Sequence, residues 1–158
     1  MHNSTHTFRM GNTYCCQHTH IVFSTKNRVP LISHDLSPRL YAYIGGVVRN
    51  RNCSLLSAGG VEDHVHLLID VHQSVALSDL VRDIKSNASR WFHEDMLLDA
   101  FAWQSGYAAF SVSASNIEAV RGYIDRQHEH HKSQSFEDEL IAFLERHGIS
   151  YDLKFLLD

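Results

Sequence analysis

Residues 53–71 read CSLLSAGGVEDHVHLLIDV, and the periodicity of this stretch sets the fold class. Cys53 to Ala58 and Asp63 to Val71 each read as a strand, and the Gly59-Gly60 pair between them predicts a hairpin turn. In the second strand alternate side chains face opposite ways. His64 and His66 therefore share one face, while Val65 and Leu67 take the other, and Val65 points into a core. Outward from the hairpin, residues 15–24 (CCQHTHIVFS) read as a strand, and Thr25 to His34 as a basic loop carrying Lys26, Arg28 and Pro30. Leu36, Leu40, Ile44 and Val47 or Val48 have helical spacing across 36–51. Gly45-Gly46 weakens that helix or admits a close neighbour. After the hairpin, Ser74 is placed to cap a helix whose apolar face is Leu77, Leu80, Val81, Ile84, Ala88, Trp91 and Phe92. Tyr107 to Ser113 then reads as a strand. The order β-α-β-β-α-β predicts an α+β fold of the split βαβ, ferredoxin-like kind, an antiparallel sheet with helices packed on it. Two C-terminal helices follow. One runs from Asn116 to about His131, with Ser115 as cap and Glu118 at the capping-box position. The other runs from Phe136 to His147 and is stopped by Gly148. The tail YDLKFLLD is apolar enough to dock.

The chain has 158 residues, 44% hydrophobic and 20% charged. These values fit one globular domain spanning 1–158, with 1–13 as a flexible N-terminal extension. No apolar run is long enough for a membrane span, and the N-terminus lacks a signal-peptide core, so a cytoplasmic location is expected. Three cysteines, Cys15, Cys16 and Cys53, show no CxxC spacing, which argues against a disulfide framework or a cysteine zinc site. The formal charge of −4 is unlike that of a generic nucleic-acid binder. Affinity nevertheless depends on where the positive charges sit. The 13 histidines are the unusual feature of the composition.

Two imidazoles about 7 Å apart along one strand can grip one metal ion. The same pattern also describes a solvated strand face, and it occurs again at His18 and His20, where it carries less weight. Tyr123 and Gln127 stand four residues apart on the next-to-last helix, so they share a face. A glutamine carbonyl is a hard oxygen donor, suited to Mg²⁺ or Mn²⁺ alongside imidazole. By itself a helical tyrosine more often packs its ring at a core edge.

Taken in order, these residues resemble the HUH single-tyrosine transposases of the insertion-sequence-200-like family, which includes the REP-associated tyrosine transposase-like proteins. The family's His-hydrophobic-His signature corresponds to His64-Val65-His66, and its Tyr-x-x-x-Gln helix to Tyr123 and Gln127. Supporting text is HIVFSTKNR at 20–28, Lys85-Ser86, WQSGYAAFSVS at 103–113 and EHHK at 129–132. The resemblance implies a metal-dependent DNA transposase that cuts and rejoins single-stranded DNA. Tyr123 would be the nucleophile, forming a 5′-phosphotyrosine and freeing a 3′-OH, and His64, His66 and Gln127 would ligate Mg²⁺ or Mn²⁺. It also implies hairpin-containing element ends as substrate. A homodimer is implied too, with each active site combining one subunit's histidines with the other's tyrosine helix. The absence of a Gly-x-x-x-x-Gly-Lys loop agrees, since transesterification conserves the bond energy and needs no nucleotide. Lys26, Arg28, Arg82, Lys85, Arg90, Arg121 and Arg126 are candidate DNA contacts. The rival readings are another HUH nicking enzyme (a replication initiator, a relaxase or a domesticated transposase), a water-using metal hydrolase, and a non-catalytic ferredoxin-like module that binds metal or nucleic acid.

Overall fold

The computed structural model describes residues 12–157, so most of the expected N-terminal extension lies outside the described residues. The strands are β1 (His18–Ser24), β2 (Ser54–Val61), β3 (His64–Asp70) and β4 (Ala108–Val112). Helix α1 (Ser37–Asn50) precedes the β2–β3 hairpin and α2 (Leu77–Glu94) follows it. The C-terminal helices are α3 (Ile117–Asp125), α4 (Gln127–His130) and α5 (Phe136–Arg146). The sheet order is β2-β3-β1-β4, and every pairing is antiparallel. This is the expected α+β arrangement, with β3 and β1 in the middle.

Alternation along the two central strands divides the protein into two layers with different tasks. Ile21, Phe23, Val65, Leu67 and Ile69 point to one face and pack against Leu40, Ile44 and Val48 of α1 and Leu80, Val81, Ile84, Ala88 and Phe92 of α2. Phe101 and Trp103, on the segment before β4, complete this core. Val22 and Phe110 face the opposite way, toward Phe136, Leu140 and Leu144 of α5. Leu156 and Leu157 pack there as well, while Leu153 and Phe155 stay exposed, so the apolar tail docks only in part. His64 and His66 lie on this second face.

Three local expectations need correction. Gly59 and Gly60 are not the hairpin turn. They lie within β2, paired with His66 and Val65, and the turn falls at Glu62–Asp63. Ser74 does not cap α2. That helix begins after Ala76 without a side-chain cap, and Oγ and N of Ser74 both hydrogen-bond Nδ1 of His72. The helix expected from 116 to 131 is broken at Arg126, whose φ and ψ are −99° and 21°. Ser115 provides no cap to it, and its hydroxyl pairs with that of Ser113.

The glycines have a packing reason in place of a turn. A Cβ on Gly59 would lie 2.6 Å from the Ile124 carbonyl oxygen and 2.8 Å from its Cγ2. Only glycine lets the backbone of α3 rest directly on β2, and that contact places α3 over its own chain's sheet. Gly46, on α1, faces nothing nearer than an Arg49 nitrogen at 3.8 Å. Gly59→Ala should therefore cost about 2 kcal/mol by overpacking. Gly46→Ala should gain up to about 1 kcal/mol from helix propensity. Urea denaturation of the two variants against wild type checks both signs.

Candidate functional site

The site grows from the polar side of β3. His64 and His66 are fully buried there, beneath α5. Phe136, Glu139, Leu140 and Leu144 form the buried stripe of α5, so helical spacing carries a carboxylate into an otherwise apolar seam. A buried carboxylate needs hydrogen-bond donors or an ion. Oε1 of Glu139 lies 2.9 Å from Nε2 of His66 and 3.4 Å from Nε2 of His64. Its Oε2 lies 3.3 Å from Nε2 of His131 and accepts a bond from Nε2 of Gln127 at 3.2 Å. Oη of Tyr123 also donates to Oε2. The Oε1 of Gln127 is 3.2 Å from Nε2 of His64 and 3.1 Å from Nε2 of His131.

The kink at Arg126 does not separate Tyr123 from Gln127. Both reach Glu139, and His131, one further turn along, joins them. Tyr123 is half-buried and flanked by the rings of His66, His130 and Phe143 at 5.8, 4.6 and 5.4 Å between centroids. Among the described residues, the other tyrosine hydroxyls do not reach this cluster. Tyr41 and Tyr43 pack on the α1–α2 side, Tyr14 and Tyr107 are exposed, and Tyr151 bonds Glu145.

Ligand atoms of His64, His66, His131 and Glu139 all lie within 4.8 Å of one another. The donor chemistry fits a divalent transition ion, because three imidazoles and one carboxylate form a nitrogen-rich set. The surrounding bonds fit as well. Nδ1 of His64 meets Oδ1 of Asp63 at 2.7 Å, and Nδ1 of His66 meets Nε2 of His20 at 2.9 Å. Each ring is thus held by its outer nitrogen with Nε2 turned inward, the usual outer-shell arrangement around ligating histidines.

The charges follow from the same contacts. Burial resists charge on His64, but hydrogen bonds to Asp63 and Glu139 and their negative charges outweigh it, so its pKa is raised. Burial dominates at His66, lowering it to about 4 despite Glu139, and at His20, lowering it to about 3. For Glu139 burial favours the neutral acid, yet bonds from His131, His64 and His66 overcome that and hold the carboxyl well below the usual range. Burial, with Glu139 beside it, raises the Tyr123 phenol. At neutral pH the cluster therefore holds an ionised carboxylate and a protonated phenol.

Of the residues singled out in the sequence, His64, His66, Tyr123 and Gln127 come together. His20, from the pair given less weight, joins them, as do His131 and Glu139, which were not foreseen as site residues. Glu139 did leave a signal, a lone carboxylate at a stripe position of α5. The candidate DNA contacts fare differently from one another. Lys85 is turned inward, donating to the carbonyls of Gln104, Ser105 and Gly106 at 2.7, 3.3 and 2.8 Å, and burial lowers its pKa to about 8. Arg82 pairs with Asp79 and Asp83, and Arg121 with Glu118. Lys26, Arg28, Arg90 and Arg126 are exposed. Arg28 borders a cleft of about 440 Å³ with Asp63, His128, His131, Lys132 and Phe136, immediately beside the cluster.

The family model described as IS200-like transposase matches residues 13–127. The ISDra2 transposase TnpA of Deinococcus radiodurans is 22% identical over 116 residues, covering 70% of this chain and 83% of that protein. Two solved structures share the fold. One is a transposase candidate from D. radiodurans R1, with TM-score 0.59 and 19% identity, covering 75% of this chain and 97% of that one. The other is a REP-associated tyrosine transposase bound to a REP hairpin, with TM-score 0.58 and 17% identity, covering 78% of this chain and 73% of that one.

The electrostatics set a pH dependence for the metal-free protein. His20 and His66 bind a proton near pH 6.5 when unfolded but only near 3 and 4 when folded. The unfolded chain therefore binds more protons in that window, so stability falls as pH drops from about 6.5 toward 4. With chelator present, the loss from the two rings together should reach roughly 6 kcal/mol at pH 4. A His66→Gln variant, with no titrating ring there, should show a shallower loss in urea titrations at each pH.

Proposed function

The chain belongs to the IS200-like transposase family, and on that premise we propose that it cleaves and rejoins single-stranded DNA through Tyr123. The observation that carries this reading is the bond from the Tyr123 hydroxyl to Glu139, the carboxylate shared by His64, His66 and His131. In the proposed reaction Oη of Tyr123 attacks a phosphodiester phosphorus, the P–O3′ bond breaks, and a 5′-phosphotyrosine and a free 3′-OH result. A 3′-OH from another strand end then attacks the phosphotyrosine and restores the phenol. Membership of a transposase family makes the protein a DNA-processing enzyme, and the tyrosine chemistry is the finer inference.

A divalent ion held by His64, His66, Glu139 and His131, with Gln127 at hand, would supply charge stabilisation at the scissile phosphate. Mg²⁺ or Mn²⁺ suits the family, and the imidazole majority here favours Mn²⁺. The chain's own groups set up the attack. Glu139 orients the phenol, and its depressed pKa makes it a hydrogen-bond acceptor in the ground state more than a base. Asp63 fixes the His64 ring, and Phe136, stacked on His64 at 4.3 Å, shields it from water. Arg28 and Lys132, at the cleft beside Asp63 and His131, are the best-placed cations to receive a strand. Lys26, Arg90 and Arg126 are further candidates, while Lys85 serves as a structural tie.

The related REP-associated protein was solved with a REP hairpin, which supports a hairpin-bearing single strand, met in the cytoplasm, as substrate here. The family implies a homodimer with exchanged tyrosine helices. The seating of Ile124 on Gly59 supports a site built within one chain.

Two experiments test this function. A 3′-labelled hairpin-bearing strand incubated with Mn²⁺ should carry its label into the protein band of a denaturing gel for wild type and not for Tyr123→Phe. Cutting at the wild-type rate by the variant would make water or another residue the nucleophile. In the second, His64→Ala and Tyr123→Phe chains are mixed. A site built within one chain predicts no regained cleavage, whereas recovery would establish exchange between subunits.

A further inference from the structure

We propose that His20 is a positioning residue for His66, fixing by hydrogen bond the tautomer in which His66 offers Nε2 to a divalent ion. The inference rests on the metal reading above and adds to it a residue outside the ligand set. A neutral imidazole has one N–H. If Nε2 of His66 gives its lone pair to an ion, the hydrogen sits on Nδ1 and needs an acceptor. The only side-chain partner of that atom among the described residues is Nε2 of His20, at 2.9 Å.

The fold makes this contact specific. In the β1–β3 register His66 lies opposite Val22, and His20 opposite Leu68, so the two histidines are diagonal neighbours on one face. Diagonal pairs in antiparallel sheets are within reach of ring side chains. The rings stack with centroids 5.1 Å apart and planes inclined by 29°. Phe110, opposite His20 on β4, and Phe143 of α5 close on the His20 ring at 6.3 and 5.2 Å. His20 is 2% exposed, so water is a poor substitute for its nitrogen. A residue needed only to fill space between Phe110 and Phe143 could be leucine. The aim of Nε2 at the outer nitrogen of His66 is what packing alone does not require. The two ligating histidines are thus supported differently, His64 by the carboxylate of Asp63 and His66 by a neutral ring.

The test uses the full chain, stripped of metal, with Mn²⁺ alone as probe. Isothermal titration measures affinity, and the visible spectrum of the Co²⁺-loaded protein reports ligand geometry independently of DNA cleavage. Three variants are compared. His20→Leu and His20→Met keep apolar volume without an acceptor, and His20→Gln offers an amide oxygen. The apolar variants should melt in chelator at or above the wild-type temperature, lose about 10- to 100-fold in Mn²⁺ affinity, and alter the Co²⁺ spectrum. His20→Gln should stay within a few-fold of wild type. A folded apolar variant that binds Mn²⁺ as wild type does would overturn the role of His20 while leaving the metal reading intact. Equal losses in the folded glutamine and apolar variants would assign His20 to packing. If wild type binds neither Mn²⁺ nor Co²⁺, the metal reading falls and this inference with it.

Discussion

A carboxylate taken out of water must be surrounded by donors, and Glu139, 2% exposed, imposes that requirement on the whole C-terminal half. Nothing else among the described residues draws so many elements to one point. β3 sends His64 and His66, the kinked α3–α4 region sends Tyr123 and Gln127, and the turn after α4 sends His131. Removing the carboxylate would leave those groups facing one another in a closed space, including a histidine whose pKa Asp63 and Glu139 together raise. Burial of such a cluster costs stability compared with an apolar seam of equal volume. Its retention in an otherwise apolar stripe therefore points to chemistry.

The sheet lets one protein carry that cost. Its α1–α2 side is a continuous apolar core in which Phe23, Phe92, Phe101 and Trp103 interlock. Its other side has only a small apolar cluster, bounded by Val22, Phe110 and α5, around the polar groups. Strand alternation assigns each residue of β3 to one task or the other. Gly59 links the two layers. By omitting a side chain it lets the backbone of Ile124 descend onto β2, and the preceding residue, Tyr123, is thereby held against the histidines.

This division explains what the sequence made legible. Alternation is a local property, so the β3 pattern revealed which histidines share a face, and helical spacing revealed the Tyr123–Gln127 pair. The order of elements was enough for the sheet. Residues that join the site through tertiary contact carried weaker marks. His20 lies on a different strand and reaches His66 only through a diagonal register, which strand length alone does not specify. His131 falls beyond a kink at Arg126 that propensity does not announce. Gly59-Gly60 resembled a turn because the usual reason for paired glycines is conformational, whereas here Gly59 answers to a helix far along the chain. Glu139 was legible in principle, as a charged residue at a position of α5 where the period calls for an apolar one.

The net charge of −4 remains to be reconciled with a nucleic-acid substrate. Total charge governs distant attraction, but inside a Debye length the local arrangement decides. Some basic residues are already paired within the fold, Arg82 with two aspartates and Lys85 with three carbonyls, while others are exposed and open to a phosphate backbone. Arg28 and Lys132 at the cleft beside the histidines are such a pair. A protein built this way gains little from nonspecific attraction to duplex DNA. On the proposed function, selectivity would come from the shape of the strand offered at that cleft, the property that separates a folded single-stranded end from duplex DNA.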